Sequence, residues 1–167
     1  CVSRSSEAQQ HFLGYPKKSP LKKFYKIDIN KNYKKVLKII KLKKPSYIIN
    51  FSSQSMVGQS WEKPLDWYNT NVIGCIKLVE CIRGLKFIKR FLNVSTPEVY
   101  GSTISNISES FVYNPSTPYA ISRACFDNHL LAIFKNFNFP VIFTRASNVY
   151  GPCQRLYRII PASIRST

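Results

Sequence analysis

Acidic residues, histidine and glycine are scarce in this sequence, and the first two shortages exclude kinds of site. Asp and Glu number 8 among 167 residues, against 25 Lys and Arg, so the formal net charge is +17. The 2 histidines and 5 cysteines form no CxxC pair and no zinc-ligand spacing. We therefore expect no bound metal, and we expect free thiols in a reducing compartment, the cytoplasm.

Long apolar runs are also missing. None approaches the roughly 18–20 residues that a membrane-spanning helix needs, and no signal-peptide pattern opens the chain. No membrane partner is therefore expected. What is present is 44% hydrophobic residues, with 14% aromatic, over a length that suits one domain with a substantial core.

The excess of positive charge raises the question of a nucleic-acid partner. The lysines are concentrated between Lys17 and Lys44, around a single acid, Asp28. Lysine used this freely beside Ile, Asn and Tyr is typical of compositional bias and of solvated helix faces. The chain has no aromatic-interleaved RNA-binding motif and no zinc-finger spacing. We therefore expect no nucleic acid among its principal partners.

Short apolar, β-branched segments alternate with patterns of helical period. This alternation predicts an α/β fold in which parallel strands are buried on both faces. Asn32 is the expected cap of the first helix, and the tail is expected to be helical after Pro161. Residues 1–6 are predicted to be the end of a strand that runs into a polar loop, and the other predicted strands are 24–27, 46–51, 90–95 and 140–144. The predicted helices are the segment after Asn32, 64–85 and 119–137.

Polar clusters follow the predicted strands at the points where they end. In parallel sheets, ligands bind beyond the carboxyl ends of the strands. Four such ends converging on one crevice predict a ligand site there. The clusters are Asp28, Ser52 with Ser53, Ser95 with Thr96, and the segment from Arg145 to Asn148.

Tyr119 and Arg123 are the strongest candidates for chemistry. Pro115 and Pro118 favour a helix that opens near Tyr119, and a spacing of four residues places both side chains on one helix face. A fixed cation beside a phenol favours the ionised form and lowers its pKa. Such a phenol is a usable general acid and base for an alcohol oxygen.

Five motifs occur in order along the chain, namely Asn50–Ser55, Asn69–Gly74, Ser95–Gly101, the Tyr119/Arg123 helix and Arg145–Pro152. Together they resemble the extended short-chain dehydrogenase/reductase superfamily. The most similar branch is the nucleotide-sugar 4,6-dehydratases of the dTDP-glucose type, and the likeness runs from about Cys1 to Pro161. It implies a Rossmann-like, doubly wound parallel sheet, with a partial dinucleotide-binding domain over residues 1–150 and the start of a substrate-binding domain over 151–167.

The resemblance implies transient oxidation of a sugar at C4, loss of water across C5–C6 and return of the hydride to C6. Tyr119 matches the base for the 4-hydroxyl, and Arg123 stands where the family usually has Lys. Arg keeps the charge, although its length and planarity put the ribose contact of that Lys in doubt. Thr96 matches the hydroxyl that binds the sugar 4-oxygen, and Glu98 matches the base for the C5 proton.

Pro97 stands where the glucose enzymes carry an Asp that protonates the leaving hydroxyl. GDP-mannose 4,6-dehydratases and UDP-glucuronate decarboxylases also lack this Asp and keep the Glu, whereas 4-epimerases usually have neither acid. A decarboxylase or an epimerase on the same scaffold therefore stays open as an alternative. So does a catalytically inactive Rossmann binding protein, because Arg123 and Pro97 both depart from the pattern.

The resemblance also implies NAD or NADP as cofactor, a nucleotide-sugar substrate and a homodimer of the full-length protein. Arg4 stands where an Arg can meet a 2′-phosphate, which would select NADP. Asn148 and Arg158 match positions that face the substrate's nucleotide and pyrophosphate. The remaining cofactor contacts are assigned to Asp28, Ile29, Phe51, Ser52, Ser53 and Thr70, together with Tyr119 and Arg123.

The glycine-rich first turn of the family is missing, since none of the 6 glycines forms it. We therefore expect the chain to be an internal piece, without the first strand and without most of the C-terminal substrate domain. In the order 3-2-1-4-5-6 the first strand lies between the second and the fourth. Its absence predicts either a gap of two strand spacings, about 10 Å, or a poorly formed, hairpin-like N-terminal region, and in both cases weak cofactor binding. A continuous sheet would contradict this.

Overall fold

The computed structural model describes residues 1–4, 23–151, 154 and 156–166. Its strands are β1 (Val2–Ser3), β2 (Tyr25–Lys26), β3 (Tyr47–Asn50), β4 (Arg90–Val94) and β5 (Val141–Thr144). Its helices are α1 (Ile29–Lys43), α2 (Val57–Glu62), α3 (Pro64–Trp67), a π-helix (Tyr68–Gly74), α4 (Cys75–Ile82), a 3₁₀ turn (Pro97–Tyr100), α5 (Pro118–Phe137) and α6 (Ile159–Ser166).

All described strand pairs are parallel, which confirms the predicted α/β class. They form two separate sheets, one of β1 and β2 and one ordered β3-β4-β5. The predicted break in the sheet is therefore confirmed, because the second strand of the family order does not pair with the fourth. The predicted width of the gap, about 10 Å, stays a prediction.

The edge position of β3 corrects one expectation. The segment 46–51 is apolar and was expected to be buried on both faces, yet Tyr47 is 69% exposed, Ile49 59% and Phe51 72%. These three residues alternate along the chain, so they share one face of the strand, and that face lines an open cleft. A parallel strand is buried on both faces only where other elements pack on both faces of its sheet.

The core lies where α1, α4 and α5 pack with β4. Phe91 of β4 is 1% exposed, and its ring lies 5.5 Å from that of Phe139, centroid to centroid, in a tilted arrangement. Burying each such side chain contributes about 2–3 kcal/mol. The other buried members are Val36, Ile40, Cys75, Leu78, Val79, Ile82, Ile88, Phe126, Leu130 and Ile133.

The ends of the helices follow local side-chain chemistry. Asp28, and not Asn32, caps α1, because the Asp28 carboxylate accepts the backbone N–H of Asn30 at 2.8 Å. Asn32 instead has non-helical φ and ψ of −136° and 36°, at a kink inside the helix. Thr117 caps α5 by accepting the N–H of Ala120 at 3.1 Å. The tail helix α6 begins at Ile159, slightly earlier than expected.

The predicted helix over 64–85 is present as α3, the π-helix and α4 in succession. The widened turn of a π-helix marks functional sites in many proteins. Here it carries Asn71, which is fully buried, donates to Gln54 O at 3.1 Å and Ser122 Oγ at 2.9 Å, and accepts Gln54 N–H at 2.8 Å. Asn71 thus fixes the loop after β3 against α5.

The outer face of α1 is a row of exposed lysines. The helix has no acid in its first turn, and its last turn carries Lys41 and Lys43. The described cysteines Cys1, Cys75, Cys81 and Cys125 are free, while Cys153 lies outside the described residues. The exposed lysines are Lys31, Lys34, Lys35, Lys38, Lys41, Lys43 and Lys44.

Within the described ranges, no helix is both long enough and apolar enough to cross a bilayer. The same ranges contain no group of three or more His, Cys, Asp or Glu side chains placed to hold a metal ion.

Candidate functional site

A cleft of about 1020 Å³ lies at the predicted break in the sheet, between the β1-β2 sheet and the open edge of β3. Its floor is apolar and includes Ile40, Leu78 and Phe91, so it reaches the core between the two sheets. Its rim is polar where the strands end. Of the nine residues assigned to the cofactor from sequence, Tyr119 and Arg123 are not among its lining residues, and seven are, namely Arg4, Asp28, Ile29, Phe51, Ser52, Ser53 and Thr70.

The loop after β3 is held in place by hydrogen bonds between side chains and the main chain. The N–H of Ser52 donates to Asn50 Oδ1 at 3.1 Å, and the hydroxyl of Ser53 donates to Gln54 O at 3.0 Å. Small hydroxyl side chains at the end of a parallel strand leave backbone groups accessible to a phosphate or ribose. The geometry therefore fits a nucleotide bound over the strand ends.

A second, smaller and polar pocket of about 320 Å³ adjoins this rim. Arg4 and Lys77 bring positive charge to it, and Thr70 Oγ1 accepts from Asn30 Nδ2 at 2.9 Å. The Oδ1 atom of Asn30 is buried and has no hydrogen-bond partner within the described structure. It approaches Gly74 so closely that a Cβ there would lie 2.4 Å away. The two cations suit an anionic group of a ligand, whereas the unpaired amide oxygen suits a hydrogen-bond donor, and Asp66 adds a carboxylate to the same lining.

Tyr119 and Arg123 lie one turn apart on α5, as predicted, and are 8% and 1% exposed. The Arg123 guanidinium donates from Nη2 to the carbonyl oxygen of Val94 and from Nη1 to that of Ser52, the latter at 3.5 Å. Its Nε is buried without a partner among the described atoms. Arg123 thus ties α5 to the ends of β3 and β4, and so to the rim of the cleft.

The backbone of Tyr119 is fixed by two serines. The N–H of Tyr119 donates to Ser60 Oγ at 3.2 Å, and its carbonyl accepts from Ser122 Oγ at 2.6 Å. Both serines are fully buried. Ser60 belongs to α2, so its role depends on a helix contact that the order of motifs along the chain does not reveal.

Thr96, Pro97 and Glu98 form the short turn that follows β4. Thr96 is buried, and its Oγ1 accepts the N–H of Glu98 at 3.3 Å, which caps the 3₁₀ turn. Pro97 takes the first position of that turn, where the absence of an N–H costs nothing. Glu98 is exposed, and the partial burial of its carboxyl raises its pKa above the usual range.

A buried network of polar side chains lies next to the turn that follows β4. That these side chains contact one another was not predicted from the sequence. The carboxylate of Asp127 accepts from Asn93 Nδ2 at 2.9 Å, from Ser95 Oγ at 2.6 Å and from Arg145 Nη2 at 3.1 Å. Burial raises the pKa of Asp127, against the opposing effects of its hydrogen bonds and of the nearby arginines. Two signals were available in the sequence, since Asn93 interrupts an apolar strand and Asp127 follows Arg123 by one helical turn.

No described hydrogen bond joins Asn148 or Arg158 to the other predicted site residues. Asn148 is exposed in the segment after β5. Arg158 is half-buried, and its guanidinium lies 5.5 Å from the centroid of the Tyr157 ring. Their assignment to the substrate stays a prediction.

Comparison with known proteins gives a consistent result. The family described as GDP-mannose 4,6 dehydratase matches residues 2–166. An uncharacterised protein of Schizosaccharomyces pombe is 32% identical over 98% of this chain and 49% of its own length. A dTDP-glucose 4,6-dehydratase of Xanthomonas campestris is 33% identical over 77% of this chain and 40% of its own length.

Among solved structures, the dTDP-glucose 4,6-dehydratase of Bacillus anthracis in complex with NAD is similar, with a TM-score of 0.74 and 34% identity. The likeness covers 86% of this chain and 43% of that one. The chain thus spans about half the length of the relatives it matches, or less.

Proposed function

Because the chain belongs to the family described as GDP-mannose 4,6 dehydratase, we propose that the protein containing it is an NAD(P)-dependent nucleotide-sugar 4,6-dehydratase. One observation carries the proposal. Seven side chains assigned to the cofactor line a single cleft, and Arg123 links the helix of Tyr119 to the rim of that cleft. Support also comes from the NAD named with the similar Bacillus anthracis enzyme.

The cofactor would rest on Asp28, Ser52, Ser53 and Thr70 at the strand ends, and its nicotinamide would supply reversible hydride transfer. Arg4 lines both the cleft and the polar pocket, which supports contact with a 2′-phosphate and hence NADP as a possible choice beside NAD. The remaining groups of the reaction come from this chain.

Tyr119 takes the proton of the sugar 4-hydroxyl as C4 is oxidised, and Thr96 holds the 4-oxygen by a hydrogen bond. The resulting ketone acidifies the C5 proton, which Glu98 removes as water leaves across C5–C6. The raised pKa of Glu98 suits this role, because a stronger base abstracts carbon-bound protons better. Pro97 supplies no acid, so the leaving hydroxyl receives its proton from another group.

The remaining assignments belong to the same proposal. Asn148 and Arg158 would contact the nucleotide and pyrophosphate of the substrate, and residues 151–167 would open the substrate-binding domain that follows residues 1–150. The full-length protein would be a homodimer in the cytoplasm. The free thiols of Cys1, Cys75, Cys81 and Cys125 support a reducing compartment.

A second candidate is a catalytically silent binding protein, favoured by one observation. The Arg123 guanidinium donates from its two Nη atoms to the main-chain carbonyls of Ser52 and Val94, so these two donors are engaged within the protein. A side chain engaged in this way has fewer donors left for a ribose hydroxyl.

The test is to incubate the full-length protein with NAD or NADP and a panel of nucleotide sugars, and to follow formation of a 4-keto-6-deoxy sugar. Tyr119→Phe should then abolish turnover, a loss of at least about 10²-fold, while Tyr33→Phe on α1 leaves it intact. Release of carbon dioxide would identify a decarboxylase, and formation of the 4-epimer would identify an epimerase. Absence of turnover with every sugar would support the silent protein.

A further inference from the structure

Two loops of the proposed site are joined by a buried chain of side-chain hydrogen bonds. The cofactor loop is residues 51–54 after β3, and the substrate loop is residues 95–98 after β4. Between them Asn50 Nδ2 donates to Asn93 Oδ1 at 2.9 Å, and Asn93 Nδ2 donates to Asp127 Oδ1 at 2.9 Å. Asn93 and Asp127 are fully buried and Asn50 is 7% exposed, so water does not compete for these bonds.

Each end of the chain holds one loop. At one end Asn50 Oδ1 accepts the N–H of Ser52, the first hydroxyl residue of the cofactor loop, at 3.1 Å. At the other end Asp127 Oδ2 accepts from Ser95 Oγ at 2.6 Å. Ser95 is the residue directly before Thr96. Arg145 of the segment after β5 donates to the same Oδ2 at 3.1 Å and thereby steadies it.

The carboxylate gives the chain a direction. An ionised carboxylate only accepts hydrogen bonds, so Asn93 must turn its NH₂ group towards Asp127 and its oxygen towards Asn50. Asn50 must then present its NH₂ group to Asn93 and its oxygen to the Ser52 N–H. The orientation of a backbone group in the cofactor loop therefore depends on a charge on α5, two side chains away.

We infer that Asn50, Asn93 and Asp127 form a positioning unit that sets the separation of the cofactor loop from the substrate loop. The identity of the two bound groups rests on the proposed function. The separation matters for that reaction because hydride transfer is sensitive to displacements of about 1 Å. None of the three residues needs to touch substrate or cofactor. Each acts through Ser52 or Ser95.

The experiment combines amide hydrogen exchange with steady-state kinetics on the full-length protein. Asp127→Asn removes the charge that directs the chain, and Ser95→Ala removes only the bond to the substrate loop. Glu80→Gln is the matched control, since Glu80 is a surface carboxylate of α4 that pairs with Arg83 at 2.8 Å. Asn93→Ala removes the link between Asn50 and Asp127 and leaves the bond from Ser95 to Asp127 in place. It tests the inference if Asp127→Asn does not fold.

Asp127→Asn should speed exchange about tenfold in both loops, as loss of one buried hydrogen bond predicts. Ser95→Ala should speed amide exchange in the substrate loop alone, and Asn93→Ala should speed it in the cofactor loop. Glu80→Gln should change the exchange rate in neither loop. With an active enzyme, Asp127→Asn should lower kcat about tenfold and leave KM and the cofactor Kd within about threefold.

Two results would overturn the inference. One is that neither Asp127→Asn nor Asn93→Ala speeds amide exchange in the cofactor loop. The other is an equal rise of exchange throughout α1 and α4, which would mean general loss of stability. The exchange pattern needs no turnover, so a protein inactive on every sugar would refute the proposed function and still decide whether the positioning unit exists.

Discussion

Arg123 is a fully buried cation whose two described hydrogen bonds both go to main-chain carbonyls, at the ends of β3 and β4. A guanidinium can span two such carbonyls because its donors form a planar fork, whereas a lysine ammonium is a compact point charge. The side chain therefore acts as a brace between strands as well as a charge near Tyr119.

Arg123→Lys should lower the free energy of unfolding by about 1–3 kcal/mol, because at least one buried carbonyl loses its donor. Urea denaturation of the variant and of the parent measures this difference. Arg83→Lys is the control, since Arg83 pairs with Glu80 at the surface and should change stability by no more than about 0.5 kcal/mol. Equal effects of the two substitutions would contradict the brace.

Cys75 should be an unreactive thiol. Burial raises its pKa to about 11, although Arg123 and a hydrogen bond from Asn50 oppose the shift. Below that pH the group stays protonated, so alkylation by iodoacetamide at pH 8–9 should label exposed Cys81 and Cys125 far faster than Cys75. Mass spectrometry of the digested protein measures the rates. Comparable labelling of all three cysteines would show that the thiol is not buried.

Glu98 should set the acidic limb of the pH–rate profile. As a base it must be ionised, and its raised pKa means that kcat falls with decreasing pH at values above those of an ordinary exposed Glu. Glu98→Gln should lower kcat by at least about tenfold and remove this limb. An unchanged profile in that variant would assign the C5 proton to another residue.

At the residue scale, the spacing of Tyr119 and Arg123 is enough to predict their common helix face, because helical period is a local property. The carbonyls that Arg123 contacts belong to residues 71 and 29 positions away along the chain. Contacts of that kind depend on how strands and helices pack, which no local spacing encodes. The same holds for Asp127 and its bond to Ser95.

Gly101 closes the turn after the 3₁₀ helix and has a φ of +77°. A Cβ at this position would lie 2.2 Å from the carbonyl oxygen of Asn114, a backbone atom that cannot easily move. The turn that carries Thr96 and Glu98 therefore depends on this glycine.

Gly101→Ala should destabilise the protein by at least about 1–3 kcal/mol, from backbone strain and the close contact. Gly58→Ala in α2 is the matched control. A Cβ there meets nothing within 4 Å, and alanine in a helix should stabilise by about 0.5–1 kcal/mol. Thermal unfolding followed by circular dichroism compares the two. Stabilisation by both substitutions would contradict the described turn.

At the element scale, the types of the strands and helices followed from hydrophobic period and proline positions. Two details, the cap of α1 and the exposure of β3, did not follow from these patterns. Asp28 and Asn32 are both good caps and lie one turn apart, so the sequence alone does not distinguish them, and the bond from Asn30 N–H decides for Asp28. The exposure of β3 depends on what packs against its face that lines the cleft, which is a property of the fold and not of the strand.

For the whole molecule, the cleft between the sheets should appear in backbone protection. β4 has a parallel partner on both sides, whereas β3 has one and about half of its amides face the cleft. Amide exchange in β3, and in the two-residue strands β1 and β2, should therefore be at least about tenfold faster than in β4. Mass spectrometry of exchanged fragments measures this. Equal protection of β3 and β4 would mean that another segment pairs with the open edge.

The division into two sheets was predictable because the missing glycine-rich turn identifies one strand position of a known topology. The buried network of Asn50, Asn93 and Asp127 was not predictable, since it joins three elements through single side chains that form no sequence motif. Family resemblance conveys topology well, and it conveys much less about how buried polar groups are satisfied.

The row of lysines on α1 has a kinetic consequence. The helix borders the cleft along its length, from Ile29 to Lys43, so its charges place a positive electrostatic potential beside the entrance. Phosphate-bearing molecules diffusing nearby are drawn inwards, and collisions become productive more often. Added salt shortens the reach of that attraction to about 10 Å at 0.1 M ionic strength. Dinucleotides and sugar nucleotides should therefore associate with the protein faster in dilute buffer than in concentrated salt.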